Sequence, residues 1–324
     1  MLTFRSIFSL MLLCVVTLAS TSVLGESPSC DKRTNNTNKK LLECVTVEGV
    51  REHQAAFQAI ADGNSGIRSV GTSGYSDSVD YVVQRMTAAG YDVTIQEFDA
   101  PGPISTYNVF AETQKGDPNK VIMVGAHLDS VNTGPGIQDN GSGSAAILEV
   151  AEQMAKVKPR NQVRFAWWGA EESGLAGSNY YVNTLSPEGK DNIALYLNFD
   201  MIGSPNFVRF IYDGEGVPCS IQSFFESFYT NRDLQYELLS PTLFSSAHQT
   251  FIDAGIPSGG LFTGADAIKT PEQAAIFGGT AGDQYDPCYH LACDTFDNVS
   301  LEVLDQNSDA IAAAILYFAK QKNR

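Results

Sequence analysis

The sequence predicts an α/β fold, a three-layer sandwich with a mixed, mainly parallel central sheet flanked by helices. Three observations carry that expectation. Val121–Ala126, Val163–Trp168 and Ile193–Phe199 are continuous apolar runs, as strands covered on both faces should be. Between the first two, Ile147, Val150, Ala151 and Met154 recur at helical spacing. Strand and helix alternate along the chain, with no internal repeat or low-complexity block, and that order builds a layered sheet.

Each element has its own justification. Arg5, the apolar run Ile7–Leu18 and small residues up to Gly25 have the layout of a secretory signal peptide. The run is shorter than the ~20 residues that cross a bilayer, so residues 1–25 are expected to be cleaved, leaving no membrane attachment. Residues 26–47 read as a polar N-terminal tail, mobile over Glu26–Lys40. Residues 48–324 read as one domain, long enough for a large core. Val79–Ala89 is an amphipathic helix closed by Gly90, and Asp92–Phe98 alternates like a half-buried strand. Gly141–Val157 is a helix with Ser142 or Ser144 available as its cap. Glu171–Leu185 is helical, Phe207–Tyr212 is a fourth strand, and Leu301–Ala319 is a C-terminal helix. His53 is expected on a helix surface.

The net charge of −16 excludes a nucleic-acid binder, which needs a basic surface. Of the six cysteines, Cys14 falls in the leader. Cys288 and Cys293 are close enough in sequence to close a small loop. Cys30 can pair with Cys44 across the tail, which would leave Cys219 free, but spacing does not decide among these three. Sequons stand at Asn35, Asn140 and Asn298. Asn35 is the favoured glycan site and Asn298 a second. Asn140 adjoins the acidic Asp139 and is read as unmodified.

The chemistry gathers at strand ends, where α/β enzymes place it. His127 and Asp129 end the first core run, Asp139 follows one Gly/Pro-rich loop later, Glu171 and Glu172 follow the second run, and Asp200 follows the third. His290 lies between Cys288 and Cys293. No Lys or Arg occurs from Val121 to Met154. Carboxylates converging without a basic partner resist ionisation, and bound cations remove the conflict. Two Zn²⁺ ions would be balanced by Asp139, Glu172, Asp200 and a bridging hydroxide. His248, in a Ser/Ala/Thr-rich stretch, is either a competing ligand or a neighbour of the pocket.

These segments resemble the secreted dizinc aminopeptidases of the M28 peptidase group, especially the bacterial leucine-preferring enzymes. The matching motifs are GAHLDS at Gly125–Ser130, GPGIQDNGSGSAA at Gly134–Ala146, FAWWGAEESGLAGS at Phe165–Ser178, YLNFDMIGSP at Tyr196–Pro205, GGLFTGA at Gly259–Ala265 and CYHLACD at Cys288–Asp294. They occur in that order, and the similarity runs from about Glu48 to the C-terminus. The resemblance implies a zinc-exopeptidase-like fold in which His127 and Asp200 bind one zinc, Glu172 and His290 the other, and Asp139 bridges them. It implies Glu171 as general base, Tyr289 as a polarising group for the scissile carbonyl, and Asp129 as the residue that orients His127. Met201 and Phe262 match positions lining an apolar pocket. The implied protein is a monomer acting on peptides with a free N-terminus and a large apolar first residue such as Leu.

Two departures stand out. Relatives commonly carry Ser-Asp-His where this chain has Ser246, Ala247 and His248, and close bacterial relatives have a basic residue where Ser245 stands. Asp305 and Asp309 match a C-terminal acid pair that binds Ca²⁺ in some relatives, whereas the N-terminal acid is missing near Cys44, with Glu43 adjacent. The same architecture also serves glutaminyl cyclases, which use one zinc and transfer rather than hydrolyse, and inactive binding scaffolds. The AWWGAEE and CYH motifs and the complete ligand set favour the hydrolase. A carboxypeptidase would need an arginine aimed at the substrate carboxylate, which Ser245 and Ala247 do not supply.

Overall fold

The computed structural model describes residues 30–102, 104–214, 216–240 and 243–322. The expected signal peptide lies outside them. The N-terminal segment is packed rather than mobile. A Cys30–Cys44 disulfide closes it, α1 (Asn38–Leu42) buries Leu41, and the Asn35 side chain donates to Gln153 O at 2.8 Å. The polar composition concealed this, because one cross-link and one apolar anchor replace a larger core.

The next helix, α2 (Val47–Gly63), starts where the Thr46 side chain accepts from Gly49 N. Val50, Phe57 and Ala61 form its apolar stripe, and His53 falls on that stripe. His53 is therefore 0% exposed, correcting the expected surface position. The helix α3 (Ser73–Ala89) ends as expected at Gly90, whose φ of 88° is the left-handed conformation that closes helices.

β1 (Asp92–Ala100) and β2 (Ile104–Glu112) form an antiparallel pair, and β3 (Asp117–His127) is the first core strand. α4 (Gly141–Met154) follows, capped by Asn140 rather than by either expected serine. β4 (Asn161–Trp168) leads to α5 (Ala176–Thr184). That helix does not begin at Glu171, because Gly174 and Leu175 adopt positive φ and break the turn before it. Then come α6 (Pro187–Asp191), β5 (Ile193–Phe199), β6 (Phe210–Tyr212), α7 (Cys219–Thr230), β7 (Glu237–Leu239), α8 (Ala247–Asp253), β8 (Ser258–Phe262), α9 (Pro271–Phe277) and α10 (Leu301–Lys320).

Among the described residues, eight strands form one mixed sheet in the order β1-β2-β4-β3-β5-β8-β6-β7. The central strands β4, β3, β5 and β8 run parallel, and the antiparallel pairings lie toward the edges. Alternate residues of β3 serve opposite faces. Ile122, Val124 and Ala126 join the core beneath α2, α3, α4, α7 and α10, while Val121 and Met123 pack with Trp168, Tyr196 and Phe251 on the other side. Two helical layers around one sheet bear out the expected sandwich. The carboxyl ends of β4, β3 and β5 share one edge, with His127 paired to Trp168 across β3 and β4.

Candidate metal centre

That edge collects the predicted residues. His127 ends β3, Glu171 and Glu172 follow β4, and Asp200 follows β5, so the neighbouring strands flank the histidine with acids. His127 Nε2 lies 3.1 Å from Asp139 Oδ1 and 3.3 Å from Asp200 Oδ1. His290 Nε2 lies 3.2 Å from Asp139 Oδ2 and 3.1 Å from Glu172 Oε2. Each ring nitrogen thus faces two carboxylates, and Asp139 gives one oxygen to each histidine. A single N–H cannot satisfy two acceptors. Consistently, Asp200 Oδ1 is buried and makes no hydrogen bond; Glu172 Oε1, the carboxylate's other oxygen, is likewise buried without one. A buried acceptor without a partner is costly; a cation between the acids and each imidazole would supply one. The donor set of imidazole and carboxylate suits zinc.

Electrostatics agree with the geometry. Ligand atoms of Asp139 and Glu172 lie within 4.8 Å of each other, as do those of Glu171 and Asp200. At such separations two carboxylates repel by roughly 3 kcal/mol at an effective dielectric near 20. Without a cation the cluster compensates by holding protons. Burial and then the charge of Asp139 push Glu172 up to about 7. Burial also holds Glu171 well above the usual carboxylate range, with Asp200 and Glu172 adding to it. Hydrogen bonds to Asp139 and Glu172 raise His290 to about 10. Burial opposes a charge on His127, but Asp200 and Glu171 outweigh it and its pKa stands well above normal. Burial likewise opposes the charge on Asp139, yet its two histidine partners bring it down to about 2.

A buried frame fixes these side chains. Asp129 accepts from Glu171 N at 3.2 Å and Glu172 N at 3.4 Å through its two carboxylate oxygens, and its backbone oxygen lies 3.1 Å from His127 Nδ1. One residue therefore orients the histidine and the paired glutamates. Tyr289 stacks on His290 with ring centroids 3.8 Å apart. Burial, and then the charge of Asp139, raise the pKa of its phenol, so the hydroxyl stays protonated and able to donate.

Three parts of the frame escaped sequence reasoning. Asn140 donates from Nδ2 to Phe199 O at 3.0 Å, and its Oδ1 accepts from Met201 N at 3.2 Å and Gly143 N at 2.9 Å, clasping the backbone on both sides of Asp200. Asp294 accepts from Gln138 N and Asp139 N at 2.8 and 2.9 Å, and burial holds it up at about 8. Arg68 is fully buried and donates to Leu128 O, Pro135 O and Gly136 O, pinning the loop between Asp129 and Asp139. The Asp-Asn pair at 139–140 was a usable signal for the first of these; nothing near Arg68 marked it.

Other expectations fare differently. The Cys288–Cys293 and Cys30–Cys44 bridges are present, and Cys219 is an exposed free thiol. At the expected glycan sites, Asn35 is 2% exposed and its amide nitrogen, the atom a glycan would join, donates to Gln153 O. The Asn298 amide is similarly held by Asp286 Oδ1 at 3.0 Å. His248 stacks on Tyr212, with ring centroids 4.4 Å apart. Asp305, of the C-terminal acid pair, feels the charge of Glu48. Met201 and Phe262, the expected pocket residues, are 0% and 5% exposed and belong to one apolar cluster, with Phe244 stacked on Phe262.

Fold and site together define an α/β protein whose strand ends converge on a candidate metal centre. The model of peptidase family M28 matches residues 108–315, and the chain belongs to that family. It is 46% identical over 273 residues to leupeptin-inactivating enzyme 1 of Streptomyces exfoliatus, covering 84% of this chain and 61% of that one. It is 45% identical over 265 residues to leucine aminopeptidase 2 of Trichophyton rubrum, covering 78% and 53% respectively. The chain thus spans between about half and three-fifths of the length of these two relatives. Among solved structures, a zinc aminopeptidase from Bacillus subtilis superposes with a TM-score of 0.72 at 18% identity, over 86% of this chain and 96% of that one, which shows a shared fold.

Proposed function

We propose that this protein is a secreted, monomeric dizinc aminopeptidase that removes large apolar residues, leucine among them, from the N-terminus of peptides. The observation that carries the reading is the pair of imidazole nitrogens, each facing two carboxylates and joined through the two oxygens of Asp139. His127 and Asp200 would hold one zinc, Glu172 and His290 the other, and Asp139 both. Bound there, zinc supplies Lewis acidity that polarises a carbonyl and makes water a nucleophile at neutral pH.

The chain's own groups do the rest. Glu171 is not needed as a ligand and sits within reach of the same edge, so it takes a proton from the attacking water and returns it to the leaving amine. The Tyr289 hydroxyl donates to the developing oxyanion. Oxygens of Glu171 and Asp200 receive the substrate ammonium, which selects a free N-terminus. Asp129 holds the tautomer of His127 and the backbone of both glutamates. The names of the leucine-processing relatives support the apolar preference. The Arg5–Gly25 leader pattern and two disulfides support secretion.

The test is hydrolysis of a leucyl chromogenic amide by the full chain, with and without a chelator. Leucine release is expected to vanish with the chelator and return with zinc. Glu171→Gln is expected to lower kcat by about 10³-fold, within the usual range for a general base. Chelator-resistant hydrolysis, or a Glu171→Gln variant as active as the parent, would sink the reading.

A further inference from the structure

The residues expected to receive the substrate's first side chain are already covered. Met201 follows Asp200 and Phe262 ends β8, and the two are joined where Thr263 N donates to Met201 O at 2.9 Å. The Phe244 ring lies flat on Phe262, with centroids 4.0 Å apart and planes 19° off parallel. Phe244 and Tyr289 are partly buried aromatic residues packed on the cluster that holds Met201 and Phe262.

Phe244 differs from the rings beneath it in how it is held. Its neighbours Leu243 and Ser245 are exposed, Leu243 at 75%. Two residues on, Ser246 is buried and its hydroxyl accepts from Asn198 Nδ2 at 3.1 Å, which fixes the start of α8. The ring is thus carried on a stretch outside helix and strand, between exposed neighbours and next to the anchored Ser246. Phe262, by contrast, is locked in the sheet and stacks on Phe210 as well. An apolar side chain seeking the face of Phe262 meets Phe244 there; Phe262 belongs to the sheet and Phe244 lies outside it.

We infer that Phe244 is a specificity-determining residue of the proposed aminopeptidase, occupying the apolar subsite over Phe262 and competing with the substrate's N-terminal side chain for that face. The inference rests on the function proposed above. A small first residue leaves Phe244 in place; a branched aliphatic one shares the site with it; an aromatic one must displace it. Displacement is needed equally for the bound substrate and its transition state, so it acts on KM rather than kcat.

The experiment compares Phe-, Leu- and Ala-amide substrates with the parent chain, Phe244→Ala and, as a loop control, Leu243→Ala. Phe244→Ala is expected to raise the kcat/KM ratio of the Phe to the Ala substrate by about tenfold, within the range a hydrophobic pocket can discriminate. The gain should come through KM, and Phe244→Leu should fall between. Leu243→Ala should leave the ratio within twofold. A ratio unmoved by Phe244→Ala, or an equal loss on all three substrates, overturns the inference and makes Phe244 a packing residue only. If the parent and every variant fail on all three amides while retaining the parent's fold by circular dichroism, the aminopeptidase reading falls, and this inference with it.

Discussion

Two buried clusters in this molecule use the same residue types and resolve their charge in opposite ways. At the strand ends, His127 faces Asp139 and Asp200, and His290 faces Asp139 and Glu172. Between α2, α3 and α4, His53 Nε2 lies 3.7 Å from Glu149 and 3.8 Å from Glu152. In the second cluster Arg85 binds Glu152 with both arms, at 2.5 and 2.7 Å, and reaches Glu52 at 3.0 Å. In the first, the nearby buried guanidinium of Arg68 gives its hydrogen bonds to backbone carbonyls and none to a carboxylate. The helical cluster carries its own cation; the strand-end cluster needs one from outside. A histidine with two acids is therefore not by itself a metal signature, and the basic neighbour decides which kind it is.

The contrast can be broken from the helical side. Arg85→Gln should leave Glu152 and Glu52 without the cation they share. Arg85 and Glu152 are partly exposed, so a loss of about 2 kcal/mol is expected, between the surface and buried limits for a broken pair. Chemical denaturation reads it, and kcat on the leucyl amide should stay within twofold of the parent. A large fall in kcat with little change in stability would mean that the two clusters are coupled and the comparison is wrong.

A smaller effect is expected on α10, where an acid pair has only a partial counter-charge. Burial, then repulsion from Asp305, raises Asp309 to about 6 against Arg232. Its folded pKa is above its unfolded value, so the native state binds the proton more tightly and stability falls as pH rises from about 4 to about 6. Asp309→Asn should therefore raise Tm at pH 7.5 and leave it nearly unchanged at pH 4. Equal shifts at both pH values would remove ionisation as the cause.

Much of this was legible in the sequence. The continuous apolar runs of β3, β4 and β5 exposed the centre of the sheet, and acids placed just past them exposed the site, because strand ends and loop acids are local patterns. What stayed hidden depends on partners far along the chain. β2 (Ile104–Glu112) mixes polar and apolar residues, and β8 (Ser258–Phe262) opens with Ser-Gly-Gly, so neither has a strand's usual signature. His53 reads as surface until Phe57 and Ala61 place it on the buried stripe. Asn35 sits in a polar tail, and its amide donates to Gln153, more than a hundred residues away. Arg68 looks like an ordinary surface charge, and only the folded loop at 128–136 gives it acceptors.

The most direct test of the central claim is zinc content per chain, measured by mass spectrometry after dialysis, for the parent, His127→Asn and His53→Gln. Two zinc ions are expected in the parent and in His53→Gln, with fewer in His127→Asn and hydrolysis lost alongside. One zinc or none in an active parent would contradict the two-zinc reading, and a zinc lost from His53→Gln and kept in His127→Asn would contradict the assignment of the strand-end cluster as the metal centre.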